Sequence, residues 1–259
     1  MFTIKSKIGR IAYMLVASVI VVSVVWSNAW RLTALMGIPS ETILNKLIRD
    51  LIVFISVLLF TGLVIKPKEI FSFLGLDSNI LKGFGVALLC VLPIYIGFTI
   101  FGIFNPDVTF YALMKKCILA GFKEEIVFRA FMFGLLFRYA KIGFFWALIL
   151  PSVYFGSLHL YQGYDLLSSL AAFGVTFLGA IYFSWLYVEW NFNLWLPIFL
   201  HVLMNGAWVL FTMTGTEVAA GGLLSNIFRI ISIVVAIGIT VWYKKKSHTR
   251  LFNYPLWLI

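Results

Sequence analysis

The chain has 259 residues, of which 62% are hydrophobic and only 12% charged, and its mean hydropathy is +1.02. That composition is too apolar for a domain folding in water, and no soluble catalytic or binding domain is left once the apolar runs are removed. A single integral membrane domain over residues 1–259 follows, and any function sits within or beside the bilayer.

The N-terminal MFTIKSKIGR places positive charge before an apolar run that continues through Trp30 without a small-residue cleavage site, so it reads as a retained first helix. At about 20 residues per crossing, the chain divides into eight apolar spans: 9–30, 47–65, 81–104, 110–138, 143–160, 167–188, 193–213 and 223–243. Runs this long lack the alternation of barrel strands, so the expected fold is all-α, a polytopic bundle of about eight transmembrane helices. Between the second and third spans, KPKEIFSFLGLD (66–77) has charge at both ends and a short aromatic middle, which predicts a loop along the interface. Ser168 with Ala172 and Ala180 with Ser184 have the four-residue spacing of close helix packing, a spacing that chance also produces in a chain rich in small residues. Cys90 and Cys117 fall far apart in apolar stretches and read as two small buried hydrophobes, neither a disulfide nor a thiolate metal site.

Lys and Arg divide unevenly between the two sides of this arrangement. One side holds Lys5, Lys7, Arg10, Lys66, Lys68, Lys82, Arg138, Lys141, Lys244, Lys245, Lys246 and Arg250; the other holds Arg31, Lys46 and Arg49. Twelve against three places both termini in the cytoplasm. The net charge of +10 is then explained by topology and by contact with anionic lipid, and nucleic-acid binding is unnecessary.

Other basic residues lie inside spans. Lys115, Lys116 and Arg229 are near enough to helix ends to snorkel. The run LAGFKEEIVFRAFMFGLLF (119–137) is different, because Glu124, Glu125 and Arg129 fall near the middle of the fourth span, where each isolated charge costs about 3 kcal/mol on insertion scales. They must face protein or water. Glu125 and Arg129 share a helix face, while Glu124 is rotated about 100° from its neighbour. The three could form a buried ion cluster that only fixes packing. Against that, His159 closes FGSLH near the end of the fifth span, and His201 opens HVLMN in the seventh, with Asn205 one turn later on the same face. The third of the chain's histidines, His248, lies in the basic tail. One polar site drawn from three helices accounts for Glu124, Glu125, His159, His201 and Asn205 together.

A carboxylate beside an imidazole can hold a water and take its proton, the first requirement of peptide hydrolysis, and Glu124 with His159 is the best candidate pair. His201 and Asn205 can donate to the oxyanion that forms when water attacks a carbonyl. Glu125 and Arg129 take supporting roles. No GxSxG elbow supports a serine nucleophile, and Cys117 has no evident base. Glu124, His159 and His201 match a catalytic zinc shell in number, but HExxH is absent, so a divalent metal is left open and the spacing does not favour it.

The ordered set EEIVFR (124–129), FGSLH (155–159) and HVLMN (201–205), each in its own span, resembles the EExxxR, FxxxH and HxxxN motifs of the CPBP intramembrane proteases. That family includes the CAAX prenyl proteases of the Ras-converting type and the bacterial Abi, or bacteriocin-processing, proteins. The motif-bearing core covers about residues 110–215. The resemblance implies an endopeptidase acting on a membrane-associated peptide or protein, with Glu124 and His159 activating water and His201 and Asn205 forming the oxyanion hole. Both metal-dependent and metal-free mechanisms have been argued for the family. The compact chain, with no organellar targeting segment, resembles a bacterial cell-membrane member. With the N-terminus inside, however, His159 falls nearer the outer face than a cytosol-facing protease requires. Two further readings use the same residues: a non-proteolytic peptide-binding, immunity or scaffold protein, and a transporter or proton pathway, although the paired inverted halves of many transporters are not evident.

Overall fold

The computed structural model describes residues 3–213 and 220–257, which are predominantly helical. In chain order the helices are α1 (Lys7–Leu35), α2 (Ile43–Val64), the short α3 (Ile70–Leu74), α4 (Ile80–Phe101), α5 (residues 110–139), α6 (Phe144–Ser157), α7 (Leu166–Glu189), α8 (Trp195–Leu210) and α9 (Leu223–Lys246). Two short strands, β1 (Ile103–Phe104) and β2 (Phe211–Thr212), pair antiparallel and tie the end of α4 to the end of α8. α1, α2, α4, α7 and α9, together with α6 and its following turn to Gln162, are six segments long and apolar enough to cross a bilayer. The remaining two of the eight expected segments differ. α5 carries the intramembrane charges, and α8, at 16 residues, falls short of the usual crossing length. The architecture is that of a polytopic integral membrane protein.

Helix starts follow local chemistry. Ser6, Thr42, Asn79 and Thr109 each place a side-chain oxygen on a backbone N–H three residues later, opening α1, α2, α4 and α5. α7 opens on a reciprocal capping box between Asp165 and Ser168. These hydrogen bonds satisfy orphan donors where the chain emerges from the apolar layer. The Asp165 carboxyl is held below its ordinary range by the Ser168 hydroxyl and backbone N–H.

The two ends of the bundle are built differently. At one end Arg10 donates to the Tyr139 carbonyl at 3.3 Å and Lys82 to the Tyr243 hydroxyl at 2.7 Å. Here segment 66–77 is not merely laid along an interface. Its α3 buries Leu74 fully, the Leu74 carbonyl accepts from the Tyr187 hydroxyl, and the Leu76 carbonyl accepts from the Trp195 indole. Gly75 allows this docking, since at φ +78° it takes a left-handed turn and a Cβ there would strike the Phe192 carbonyl. The segment after α9 straps across the same end. Its Phe252 N–H and Tyr254 hydroxyl both donate to the fully buried Glu189, which also pairs with Lys244 at 3.1 Å. Burial and Glu189 push the Tyr254 hydroxyl well above its ordinary pKa. The carbonyls of Pro255 and Leu256 accept from Phe144 and Phe145, satisfying the first donors of α6.

The opposite end carries the α1–α2 connection, β1–β2 and the α6–α7 turn. There Glu41 reaches Lys115 near the start of α5 at 3.8 Å. The aromatic-rich core lies toward the strapped end, where every residue of α5 from Glu125 to Phe137 is buried.

Candidate functional site

α5 is not uniformly wound. It is α-helical over Ala120–Glu125 and π-helical over Met114–Leu119 and Ile126–Phe133, so the glutamate pair sits at a change of pitch. Such changes gather at functional sites, because they re-aim side chains without breaking the helix. α8 meets α5 at this turn. A Cβ on Gly121 would lie 2.9 Å from Val202 Cγ2 and 3.5 Å from His201 Cβ, so only glycine lets the helices approach this closely.

The approach brings four of the expected residues into one array. His201 Nδ1 and Glu125 Oε1 are 2.6 Å apart, Glu125 Oε2 and Arg129 Nε 3.0 Å, and His201 Nε2 and Glu124 Oε2 3.8 Å. Glu125 is 0% and Arg129 1% exposed, and the guanidinium is held between the rings of Phe155 and Phe183 at 4.5 and 5.3 Å. The side chains of Glu124 and His201 keep 18% and 13% exposure. The buried pair therefore backs the two groups a substrate or water could reach.

His159 follows α6. Its Nδ1 lies 2.7 Å from the Phe155 carbonyl, which can only accept, so Nδ1 carries a proton and Nε2 is the nitrogen left to face a water or substrate. Phe155 contacts the His159 ring at 4.6 Å and the Arg129 guanidinium, connecting the two parts of the site. Among the described residues no hydrogen bond or ion pair directly joins Glu124 to His159; the imidazole beside Glu124 is that of His201. Asn205, one turn above His201, donates to the Lys116 carbonyl at 2.9 Å, which ties α8 to α5 and leaves its second amide N–H for another acceptor.

Among the described residues no three His, Cys, Asp or Glu side chains converge as a metal-ligand set. In this geometry the side chains of Glu124, His159 and His201 do not form such a set. Cys90 and Cys117 are buried and unpaired with each other.

Some neighbours of the site were not among the expected residues. Phe183 on α7 has no motif to mark it. Asp50, the one acidic residue of α2, could have been flagged on that ground; it ion-pairs with Lys123 at 3.6 Å and with Lys46. A cavity of about 200 Å³ beside this pair is lined by Leu47, Phe54, Leu119 and Phe122, and its walls include none of Glu124, His159, His201 or Asn205.

Residues 106–207 match the family model described as "Type II CAAX prenyl endopeptidase Rce1-like", a range that holds all three motifs. Over that range the chain is similar to the CAAX-type prenyl endopeptidases. It is also 37% identical over 93 residues to the "Putative membrane peptidase YdiL" of Bacillus subtilis (strain 168), an alignment covering 36% of this chain. The chain spans about a third (34%) of that relative's length. No solved structure matches it.

Proposed function

We propose that the protein is an intramembrane endopeptidase that hydrolyses a peptide bond in a membrane-associated peptide or protein. Support comes from the match of residues 106–207 to the Rce1-like family model, a range that contains all three motifs. The observation that carries the reading is the Glu124–His201–Glu125–Arg129 array, in which two ionisable groups remain accessible in front of two that are closed off.

In this reading Glu124 takes the proton of the attacking water, which His159 Nε2 helps to hold and orient. Nucleophilic attack places negative charge on the former carbonyl oxygen. The second amide N–H of Asn205 and the Nε2–H of His201 stabilise it. The His201 role requires protons on both ring nitrogens, since Nδ1–H is already donated to Glu125. In that state Glu124, Glu125, Arg129 and His201 sum to zero charge, a favourable balance in a medium of low dielectric. Glu125 and Arg129 act through His201 by fixing its ring. The proton held by Glu124 then passes to the leaving amine as the C–N bond breaks.

The test compares peptides in membranes and medium of cells making wild-type protein or Glu124→Gln at equal abundance. Peptides that appear only with the wild type are expected. Indistinguishable profiles, with the cellular phenotype kept by the variant, would favour the non-proteolytic binding reading.

A further inference from the structure

The site is closed toward one end of the bundle and open toward the other. Along α5 every residue from Glu125 to Phe137 is buried, whereas Glu124 and most residues before it are at least partly exposed. α8 repeats the polarity: Leu196, Pro197, Ile198 and Leu200 are buried, and the partly exposed stretch begins at His201 and continues through Asn205. On α6 Phe155 and Gly156 are buried, and His159 lies beyond them in a turn with exposed Leu158 and Leu160. Three helices thus agree that access comes from the end holding β1–β2 and the α6–α7 turn.

That end has a distinct charge. Its connections, residues 36–42, 102–109, 158–165 and 211–222, contain no Lys or Arg and include Glu41, Asp107 and Asp165, while the adjoining helices carry Arg31, Lys46, Arg49, Lys115 and Lys116. The strapped end has Lys5, Lys66, Lys68, Lys141 and Arg250 in its connections, with Lys244 to Lys246 closing α9. Short connections rich in Lys and Arg stay in the cytoplasm. Taken with the direction of access, we infer that the site opens on the non-cytoplasmic face of the membrane, so that its substrate is a peptide segment already carried across the bilayer. The inference rests on the peptidase reading for its substrate and on charge and burial for its direction.

Direction is tested with a membrane-impermeant charged maleimide on intact bacterial cells, in a background with Cys90 and Cys117 replaced by alanine. Single cysteines are placed at Leu158 and Tyr164 at the open end and at Ser72 at the strapped end, all exposed positions. Labelling of Leu158→Cys and Tyr164→Cys in intact cells, with Ser72→Cys labelled only after permeabilisation, is expected. The reverse pattern, or equal labelling at both ends, overturns the inference. The substrate is tested by where Glu124-dependent cuts fall: cuts in translocated segments, lost when protein export is blocked, are expected. Glu124-dependent cuts in cytoplasmic segments would overturn the inference while leaving the peptidase reading standing. Outward labelling without any Glu124-dependent product would uphold the direction, remove the peptide substrate inferred with it, and count against the peptidase reading.

Discussion

Replacing Arg129 with methionine keeps most of the side-chain volume and removes the charge that neutralises Glu125. Glu125 is fully buried and its remaining polar partner is His201, so the change strands a carboxylate in the aromatic core. Breaking a buried pair in this way costs about 3–5 kcal/mol. At about 2–4 °C per kcal/mol for a chain of this size class, the apparent melting temperature should fall by about 6–20 °C. The lost contacts of the guanidinium with Phe155 and Phe183 act in the same direction. Glu125→Leu alone should also destabilise, by leaving Arg129 unpaired. The double variant Glu125→Leu/Arg129→Met replaces both charges with apolar groups, and its melting temperature should lie well above that expected by adding the two losses. Thermal unfolding of the four proteins in one detergent closes the cycle. Additive losses, or a fall of only a degree or two for Arg129→Met, would refute the claim that the pair forms a neutralised core behind the site.

Gly121→Ala should disturb function more than folding. The new methyl meets Val202 and pushes α8 off α5, lengthening the His201–Glu125 contact; a clear loss of Glu124-dependent product with unchanged expression and oligomeric profile is the expected result. Glu189→Ala should release the strap, exposing residues after Lys246 to added protease and lowering the melting temperature, because Lys244 loses its buried partner and Phe252 and Tyr254 their acceptor. Asp165 has a depressed carboxyl pKa in the folded chain, so its contribution is present above the ordinary carboxylate pKa of about 4 and disappears as pH falls through the lower folded value. Melting curves of Asp165→Ala and wild type between pH 6 and pH 2 should therefore converge at the acid end; a constant offset across the range would contradict the capping role.

Much of this architecture could be read from hydropathy, since a backbone in lipid must be helical and a helix must be long enough to cross. The three motifs were legible for a related reason: ionisable side chains in an apolar span stand out against their surroundings. Which imidazole would face Glu124 was not legible. That depends on the rotation of α8 against α5, set by Gly121 and Val202 and by the change of helical pitch, and hydrophobic periodicity carries no record of contacts between helices. Phe183 was invisible because an aromatic residue that holds a guanidinium looks like any other in an apolar helix. Segment 66–77 read as interfacial on its charged ends, but its anchoring uses backbone carbonyls at 74 and 76, which sequence does not display. Glu189 escaped notice for its position at the very end of α7, where an acid is ordinarily solvated; the strap that buries it comes from 60-odd residues later.

The central claim is that water activated at Glu124 hydrolyses a peptide bond. Purified protein in lipid nanodiscs, incubated in H₂¹⁸O with a peptide library prepared from membrane proteins, reads that step directly. The account predicts new C-termini carrying a single ¹⁸O with the wild type and none above background with Glu124→Gln. Cleavage that proceeds equally in Glu124→Gln, or wild-type products whose new C-termini carry no ¹⁸O, would contradict it.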